Sequence, residues 1–140
     1  MVTDDTSRTG RSAAAPVPSL LCDVQALAAA APDAGAASGA VWRLAESGRQ
    51  LDANLVHLPA ARRIGTHTEP DLDVLLLVVS GTGTLASSEG AQSLTAGSLC
   101  WLPHGSTRAL TAGDGGLSYL TVHRRRPGLQ IRSGPPRGTA

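Results

Sequence analysis

Short stretches of alternating apolar and polar residues, separated by glycine-rich turns, make up most of the chain after residue 40. The clearest alternation runs over residues 50–58, where His57 shares one strand face with apolar side chains. Residues 73–79 are nearly all aliphatic, which predicts a strand that is covered on both faces. Further strands are predicted at residues 40–44, 84–87, 92–94, 99–102, 107–111 and 117–124. Short strands that recur about every eight to twelve residues indicate an all-β sandwich or barrel.

Two glycine clusters are predicted to form turns between these strands. Gly81-Thr82-Gly83 follows the aliphatic strand, and residues 113–116 separate the last two predicted strands. Trp101 alternates with Leu99 on one of the short strands between the two clusters. We expect Trp101 in the core, because a large aromatic side chain gains much from burial.

The chain before residue 40 has a different pattern. Ser19 can cap a helix, an apolar stripe follows it, and Pro32 ends the stripe, so a short helix is predicted near residues 19–31. We expect residues 1–39 to form a flexible leader that contains this helix. The barrel domain is predicted at residues 40–126, followed by a flexible basic tail at residues 127–140. A chain of 140 residues has room for one such core.

Composition and charge exclude several classes of partner. The formal net charge is +1 and 41% of the residues are hydrophobic, as in a globular protein that binds neither nucleic acid nor a membrane. The basic run at residues 124–126 has no interleaved aromatic residues, so we interpret it as solvated chain. Acidic residues stand near the amino terminus where a secretory signal would be basic, and we expect a cytoplasmic protein. Cys22 and Cys100 lie far apart and are expected to be reduced thiols.

The residues that can bind a metal or move a proton near neutral pH are concentrated before the aliphatic strand. His67, Glu69 and Asp73 lie there within seven positions. This cluster is the first candidate site.

The spacing around the cluster resembles the first motif of the cupin family. That motif runs Gly, five residues, His, one residue, His, three or four residues, Glu, six residues, Gly. The corresponding positions here are Ala61, His67, Glu69, Asp73 and Gly81.

A second stretch resembles the second cupin motif, which runs Gly, five residues, Pro, one residue, Gly, two residues, His, three residues, Asn. Here the positions are Gly97, Pro103, Gly105, Arg108 and Ala112. The residues that form the turn are retained, and an arginine stands at the position of the histidine ligand.

The resemblance implies a fold and a partner. Cupins are all-β proteins built as a double-stranded β-helix, or jelly-roll barrel, which here would carry the short N-terminal helix. The resemblance also implies a small-molecule ligand in the barrel and a homodimer.

The resemblance leaves two interpretations of the candidate site. In cupins with a metal, the ligand positions correspond to His67, Glu69, Asp73 and Arg108, and a guanidinium cannot be a ligand because it has no lone pair to offer. In the preferred interpretation these four residues form a polar network in a ligand-binding barrel, with no metal and no other cofactor. In the alternative, a divalent ion such as iron or manganese binds His67, Glu69 and Asp73.

The choice between an enzyme and a binding protein stays open. With a metal, the chain resembles a cupin enzyme of the dioxygenase or isomerase type acting on a small anion. A structural or regulatory module that binds a partner is a third hypothesis, because one fold supports many functions.

Three other residues are candidates for the same pocket. His57 leads into the His67 stretch and can add an imidazole to the pocket, or serve as a hydrogen-bonded core histidine. Tyr119 and His123 share strand parity with Thr121, and line the pocket if that face points inward. His104 occupies the variable position of the Pro-x-Gly turn, where we expect an exposed side chain.

Overall fold

The computed structural model describes residues 15–32 and 39–126. Within them, one helix, α1 (Val24–Ala30), precedes seven strands: β1 (Gly39–Arg43), β2 (Leu51–Leu58), β3 (Arg63–Thr68), β4 (Val74–Ser87), β5 (Gly90–Thr95), β6 (Leu99–Leu102) and β7 (Thr107–Arg124). The predicted tail at residues 127–140 and most of the predicted leader lie outside the described residues, so their flexibility stays a prediction.

The two long strands β4 and β7 build the barrel. The first half of β7 pairs with β3 and with the second half of β4. Its second half pairs with β2 and with the first half of β4. The barrel therefore has two layers, one built on the first half of β7 and the other on its second half, and each long strand contributes to both. All the pairings are antiparallel, and β1, β5 and β6 complete the sheet at its margins. The protein is therefore an all-β jelly-roll barrel with a short N-terminal helix, as predicted.

The predicted turns at residues 81–83 and 113–116 are wrong, because both segments are bends inside the long strands. The pairing of β4 with β7 shifts register around Gly81, which marks a β-bulge. Gly81 has a φ of 83°, and a Cβ there would lie 2.1 Å from the carbonyl oxygen of Gly116. Glycine thus lets the strands bend and cross closely without losing their pairing.

The interior between the layers is aliphatic. Its largest fully buried side chains include Leu58, Leu72, Leu76 and Leu117. Helix α1 covers part of the outer face instead, where Ala28 packs with Leu55 and Val79. The helix therefore closes one side of the barrel and does not reach the interior.

Helix α1 begins later than predicted. Asp23 is its N-cap, and its Oδ1 accepts hydrogen bonds from the backbone N–H of Gln25 at 3.0 Å and of Ala26 at 3.2 Å. A carboxylate caps a helix well, so Asp23 replaces Ser19, the predicted cap. In the part of the chain that the structure describes, no helix is long and apolar enough to cross a membrane.

Strand β3 was not predicted, and it positions the candidate site. It is almost entirely exposed, so it lacks the apolar alternation by which strands are recognised in a sequence. Its pairing with β7 sets Ile64 opposite Leu110 and His67 opposite Arg108. The first and second motifs therefore meet as neighbours across two strands.

Trp101 is 60% exposed, so the prediction that it lies in the core is wrong. It shares the outer face of β6 with Leu99, which is 66% exposed. The pairing of β6 with β4 sets Trp101 opposite Leu75 and Leu99 opposite Leu77. Neither side chain belongs to the cluster that packs against α1.

Candidate functional site

A cavity of about 250 Å³ lies between the two layers of the barrel. Its apolar wall consists of Ile64, Leu72, Val74, Leu76, Leu102 and Leu110. Its polar wall consists of His67, Thr68, Glu69, Arg108, Tyr119, Thr121, His123 and Arg126. Three of the four residues predicted to form the network thus line one cavity, and Asp73 does not.

Arg108 is the buried cation of this cavity. It is 7% exposed, and its Nη1 donates to the carbonyl oxygen of Ser106 at 3.4 Å and to the Oγ of Ser106 at 3.3 Å. Both hydrogen bonds are long and both acceptors are neutral. Burial lowers the pKa of the Arg108 guanidinium, while the charge of Glu69 acts in the opposite direction. Among the described residues, no carboxylate forms an ion pair with Arg108.

Glu69 pairs with a different arginine. Its carboxylate accepts a hydrogen bond from Arg126, and its Oε2 accepts another from the backbone N–H of Asp71 at 2.9 Å. The hydrogen bond from Arg126 is the main reason that the pKa of Glu69 lies below its usual value, and the backbone hydrogen bond adds to it. The negative charge of Glu69 is therefore balanced by Arg126, just after β7. It does not balance the positive charge of Arg108.

Asp73 holds the turn that precedes β7. Its Oδ1 accepts from the backbone N–H of His104 at 2.9 Å and from the Nδ1 of His104 at 2.7 Å. These hydrogen bonds, the backbone one first, lower the pKa of Asp73. The backbone N–H of Gly105 donates to the carbonyl oxygen of Glu69 at 2.7 Å, which ties the same turn to the other motif. Asp73 thus acts from outside the cavity.

His67 lies on β3 beside Arg108. Its Nδ1 donates to the carbonyl oxygen of Gly65 at 3.0 Å, which fixes the ring and leaves Nε2 without a protein partner in the described residues. Since β3 is exposed, His67 borders the open side of the cavity.

The three further candidates separate into two groups. Tyr119 and His123 line the cavity, and the Nδ1 of His123 donates to the carbonyl oxygen of Arg124 at 2.7 Å. His57 is buried on the strand face that packs under α1, away from the cavity, and its Nδ1 shares a hydrogen bond of 2.9 Å with the Oγ of Ser118. His57 is therefore a hydrogen-bonded core histidine, whose partner is a side chain.

Tyr119 carries a polar atom with no partner. The residue is 4% exposed, and its hydroxyl forms no hydrogen bond with any other described residue. Burial raises the pKa of Tyr119 to about 12, so the phenol is neutral and can donate a hydrogen bond at physiological pH. A buried hydroxyl without a partner is unusual in a folded protein.

Sequence reasoning missed Arg126 and Ser106. Arg126 stands in a basic run interpreted as solvated chain, yet it reaches back to Glu69 at the cavity. Ser106 lies in the turn of the second motif and supplies both acceptors of Arg108. Arg126 meets Glu69 only through the fold, so the sequence carried no signal for it. Ser106 is two positions from Arg108, and its signal was its place in the turn of the second motif.

The residues present do not fit the metal ion that many cupins bind. Among residues 15–32 and 39–126, no group of three or more His, Cys, Asp or Glu side chains is arranged to hold one. Glu69 and Asp73 are engaged by Arg126 and His104, and the positive charge of Arg108 lies in the same cavity. A divalent ion would have to displace these contacts and tolerate a buried cation beside it.

Comparison with known proteins assigns the fold. No family model and no curated protein matches the sequence. A sugar phosphate isomerase from a cupin superfamily of Silicibacter pomeroyi is 23% identical, with a TM-score of 0.52 over 56% of this chain and 53% of that chain. The cupin domain of Schizosaccharomyces pombe Cnp3 is 12% identical, with a TM-score of 0.55 over 61% of this chain and 59% of that chain.

A third solved structure gives the same result. A cupin-2 domain containing protein from Shewanella frigidimarina is 20% identical, with a TM-score of 0.52 over 64% of this chain and 80% of that chain. The matched part of this chain spans only a little over half of the first two proteins. These similarities define the class: the chain has the fold of small cupins.

Proposed function

We propose that this chain binds a small anionic molecule in its cavity without a metal ion, and that Arg108 is the principal contact. The observation that carries the proposal is that Arg108 is buried in the cavity wall, and that its hydrogen bonds to other described residues are long and go to neutral acceptors. Burying a charge without a charged partner is costly. A bound anion would supply that partner, and the planar guanidinium matches a carboxylate or a phosphate.

The other residues of the expected network support the same proposal in different ways. His67 offers its Nε2 at the open side of the cavity, where it can accept a hydrogen bond from a ligand because the ring proton is on Nδ1. Glu69 and Arg126 form a neutral pair at the cavity. Asp73 holds the turn that carries Ser106 toward Arg108, so it is a positioning residue.

The proposal predicts that ligand binding depends on Arg108. Small carboxylic acids and phosphate esters would be screened by NMR against the protein purified without chelator, after metal analysis. We expect Arg108→Gln to raise the Kd of every bound anion about tenfold or more, since each hydrogen bond to a charged group contributes about 1.5–3 kcal/mol. Arg49→Gln is the control, because Arg49 pairs with Asp52 and does not line the cavity.

Two results would contradict the proposal. One is an Arg108→Gln protein that is folded and binds the anions with unchanged affinity. The other is stoichiometric bound metal that is lost in His67→Ala, which would support the alternative of a metal-dependent cupin enzyme.

We also propose that the chain forms a homodimer through the outer face of β4 and β6. Two apolar rows cross this face: Ala53, Val122, Leu75 and Trp101 in one, and Leu55, Leu120, Leu77 and Leu99 in the other. Helix α1 covers the part of the face around Leu55, Val79 and Leu120, and the β6 end is exposed. None of these eight residues is charged, so the two rows can meet their own copies around a two-fold axis without repulsion.

An interface with a second copy must extend beyond the four exposed side chains of β4 and β6. A stable interface buries about 800 Å² on each partner, more than four side chains supply. Leu20, which is almost fully exposed, lines a groove together with Leu77 and extends the apolar surface in that direction.

The cytoplasmic location expected from the sequence stays a prediction.

A further inference from the structure

We infer that the ligand is a small monocarboxylic acid with an apolar body and one distal hydrogen-bond acceptor, held by Arg108 at the carboxylate and by Tyr119 at the acceptor. This inference rests on the proposed function, because it requires an anion at Arg108. It adds the class of the molecule and the residue that selects it.

The charge of the cavity favours a monoanion. Its charged side chains are Arg108, Arg126 and Glu69, which leave one net positive charge when His67 and His123 are neutral. One carboxylate balances that charge. A phosphate monoester carries more than one negative charge near neutral pH and would leave an excess in a partly desolvated site.

The apolar wall favours a body without hydroxyl groups. Six aliphatic side chains form one wall of the cavity, from Ile64 on β3 to Leu110 on β7. They offer no hydrogen bonds to replace those that a polyol gives up when it leaves water. At about 250 Å³, the cavity is also smaller than the range of about 300–1,000 Å³ that is typical for drug-sized ligands.

Tyr119 supplies the second polar contact. Tyr119 is buried and lines the cavity, and its hydroxyl has no hydrogen-bond partner among the residues that the structure describes. Because the phenol is neutral, it donates a hydrogen bond to a carbonyl or hydroxyl oxygen of the ligand. An acceptor there satisfies a group that the protein leaves unpaired.

The bend in β7 sets the two contacts on different layers of the barrel. Arg108 belongs to the half of β7 that pairs with β3, and Tyr119 belongs to the half that pairs with β2. A ligand that contacts both therefore spans the space between the layers, with its apolar body against the aliphatic wall. The carboxylate and the acceptor must lie at opposite ends of the molecule.

Four probes separate these requirements in calorimetric titrations of the full chain. Pentanoate has the carboxylate and the apolar body, and 4-oxopentanoate adds one distal acceptor. Gluconate has a carboxylate on a polyol, and glucose 6-phosphate has a phosphate on a polyol. We expect 4-oxopentanoate to bind best, about three- to tenfold tighter than pentanoate, with both polyols at least tenfold weaker.

Two variants assign the contacts. Tyr119→Phe removes only the hydroxyl, so we expect the fold to be kept and the advantage of 4-oxopentanoate over pentanoate to disappear, with pentanoate binding unchanged. Arg108→Gln should weaken both acids equally. Circular dichroism and thermal unfolding of each variant establish that the fold is intact.

The possible failures are distinct. If gluconate or glucose 6-phosphate binds as tightly as 4-oxopentanoate and does so through Arg108, the ligand class is wrong and the anion site stands. If Tyr119→Phe weakens pentanoate and 4-oxopentanoate equally, the role of Tyr119 is wrong. If none of the probes binds in an Arg108-dependent way, the proposed function fails together with this inference.

Discussion

The contact between Asp73 and His104 joins the two motifs from outside the cavity. Asp73 ends the loop before β4, and His104 lies in the turn before β7, far apart in the sequence. Their two hydrogen bonds hold the turn that leads to Arg108, and that of Gly105 to Glu69 adds a third link. The orientation of the buried guanidinium therefore depends on a carboxylate that does not contact it.

This contact makes the stability contribution of Asp73 depend on pH. Its pKa is lowered in the folded protein, so the ionised form stabilises the fold above the ordinary Asp pKa, and this is lost as the pH falls through the lowered pKa. We expect Asp73→Asn to lower the Tm at pH 7, with the difference from wild type closing as the pH falls below the ordinary Asp pKa of about 4.

Thermal unfolding at a series of pH values measures this difference. Asp114→Asn is the matched control, because Asp114 is an exposed carboxylate that forms no hydrogen bond or ion pair with another described residue. A Tm difference for Asp73→Asn that stays constant across the acid range would show that the charge of Asp73 is not what stabilises the turn.

The role of a single residue could be predicted where the chemistry of its side chain excludes an alternative. An arginine at the ligand position of the second motif already argues against a metal there, because no fold gives a guanidinium a lone pair. The partners of Glu69 and Asp73 could not be predicted in this way. Their pairing with Arg126 and His104 depends on which loops meet at the end of the barrel.

At the scale of the strands, the bends in β4 and β7 determine the shape of the cavity. Each long strand passes from one layer to the other, and the crossing point is close-packed around Gly81 and Gly116. The predicted strands at residues 40–44, 50–58 and 99–102 agree with the structure within a residue at each end. Alternation identified β2 because one of its faces is buried, whereas β1 has no buried residue.

A side chain at the crossing point should destabilise the barrel. The Cβ of Gly81→Ala would lie 2.1 Å from the carbonyl oxygen of Gly116, at a φ of 83° that alanine adopts poorly. We expect a loss of at least about 2 kcal/mol in the free energy of unfolding, from the clash and the backbone strain together. Denaturant unfolding measures it.

Gly115→Ala provides the control for this substitution. Gly115 lies on the same bend of β7, but a Cβ there meets no atom within 4 Å. We expect its effect to stay within about 1 kcal/mol. Equal losses in the two variants would contradict the close crossing of β4 and β7.

For the whole molecule, the exposed rows on β4 and β6 predict how the chain associates. If two copies pair through this face, a charge at its centre must be buried without a partner in the dimer. We expect Leu99→Lys to convert a dimer into a monomer without loss of the fold, since Leu99 is 66% exposed.

Light scattering coupled to size-exclusion chromatography measures the mass in solution. Val41→Lys is the control, because Val41 is a partly exposed residue on β1, at the other margin of the sheet. A wild-type protein that is monomeric at high concentration, or a Leu99→Lys protein that is still dimeric, would contradict the proposed interface.

The sequence by itself determined the class of fold and the identity of the groups at the two motifs. Alternation and turn residues act over a few neighbouring positions, so they can be read without a structure. Only the tertiary structure decided that Arg108 is buried and that Asp73 lies outside the cavity. It also decided that, within residues 15–32 and 39–126, Arg108 has no ionic partner and the Tyr119 hydroxyl has no hydrogen bond. These facts depend on which distant strands pair and how the long strands bend, since burial and hydrogen bonding depend on neighbours in space.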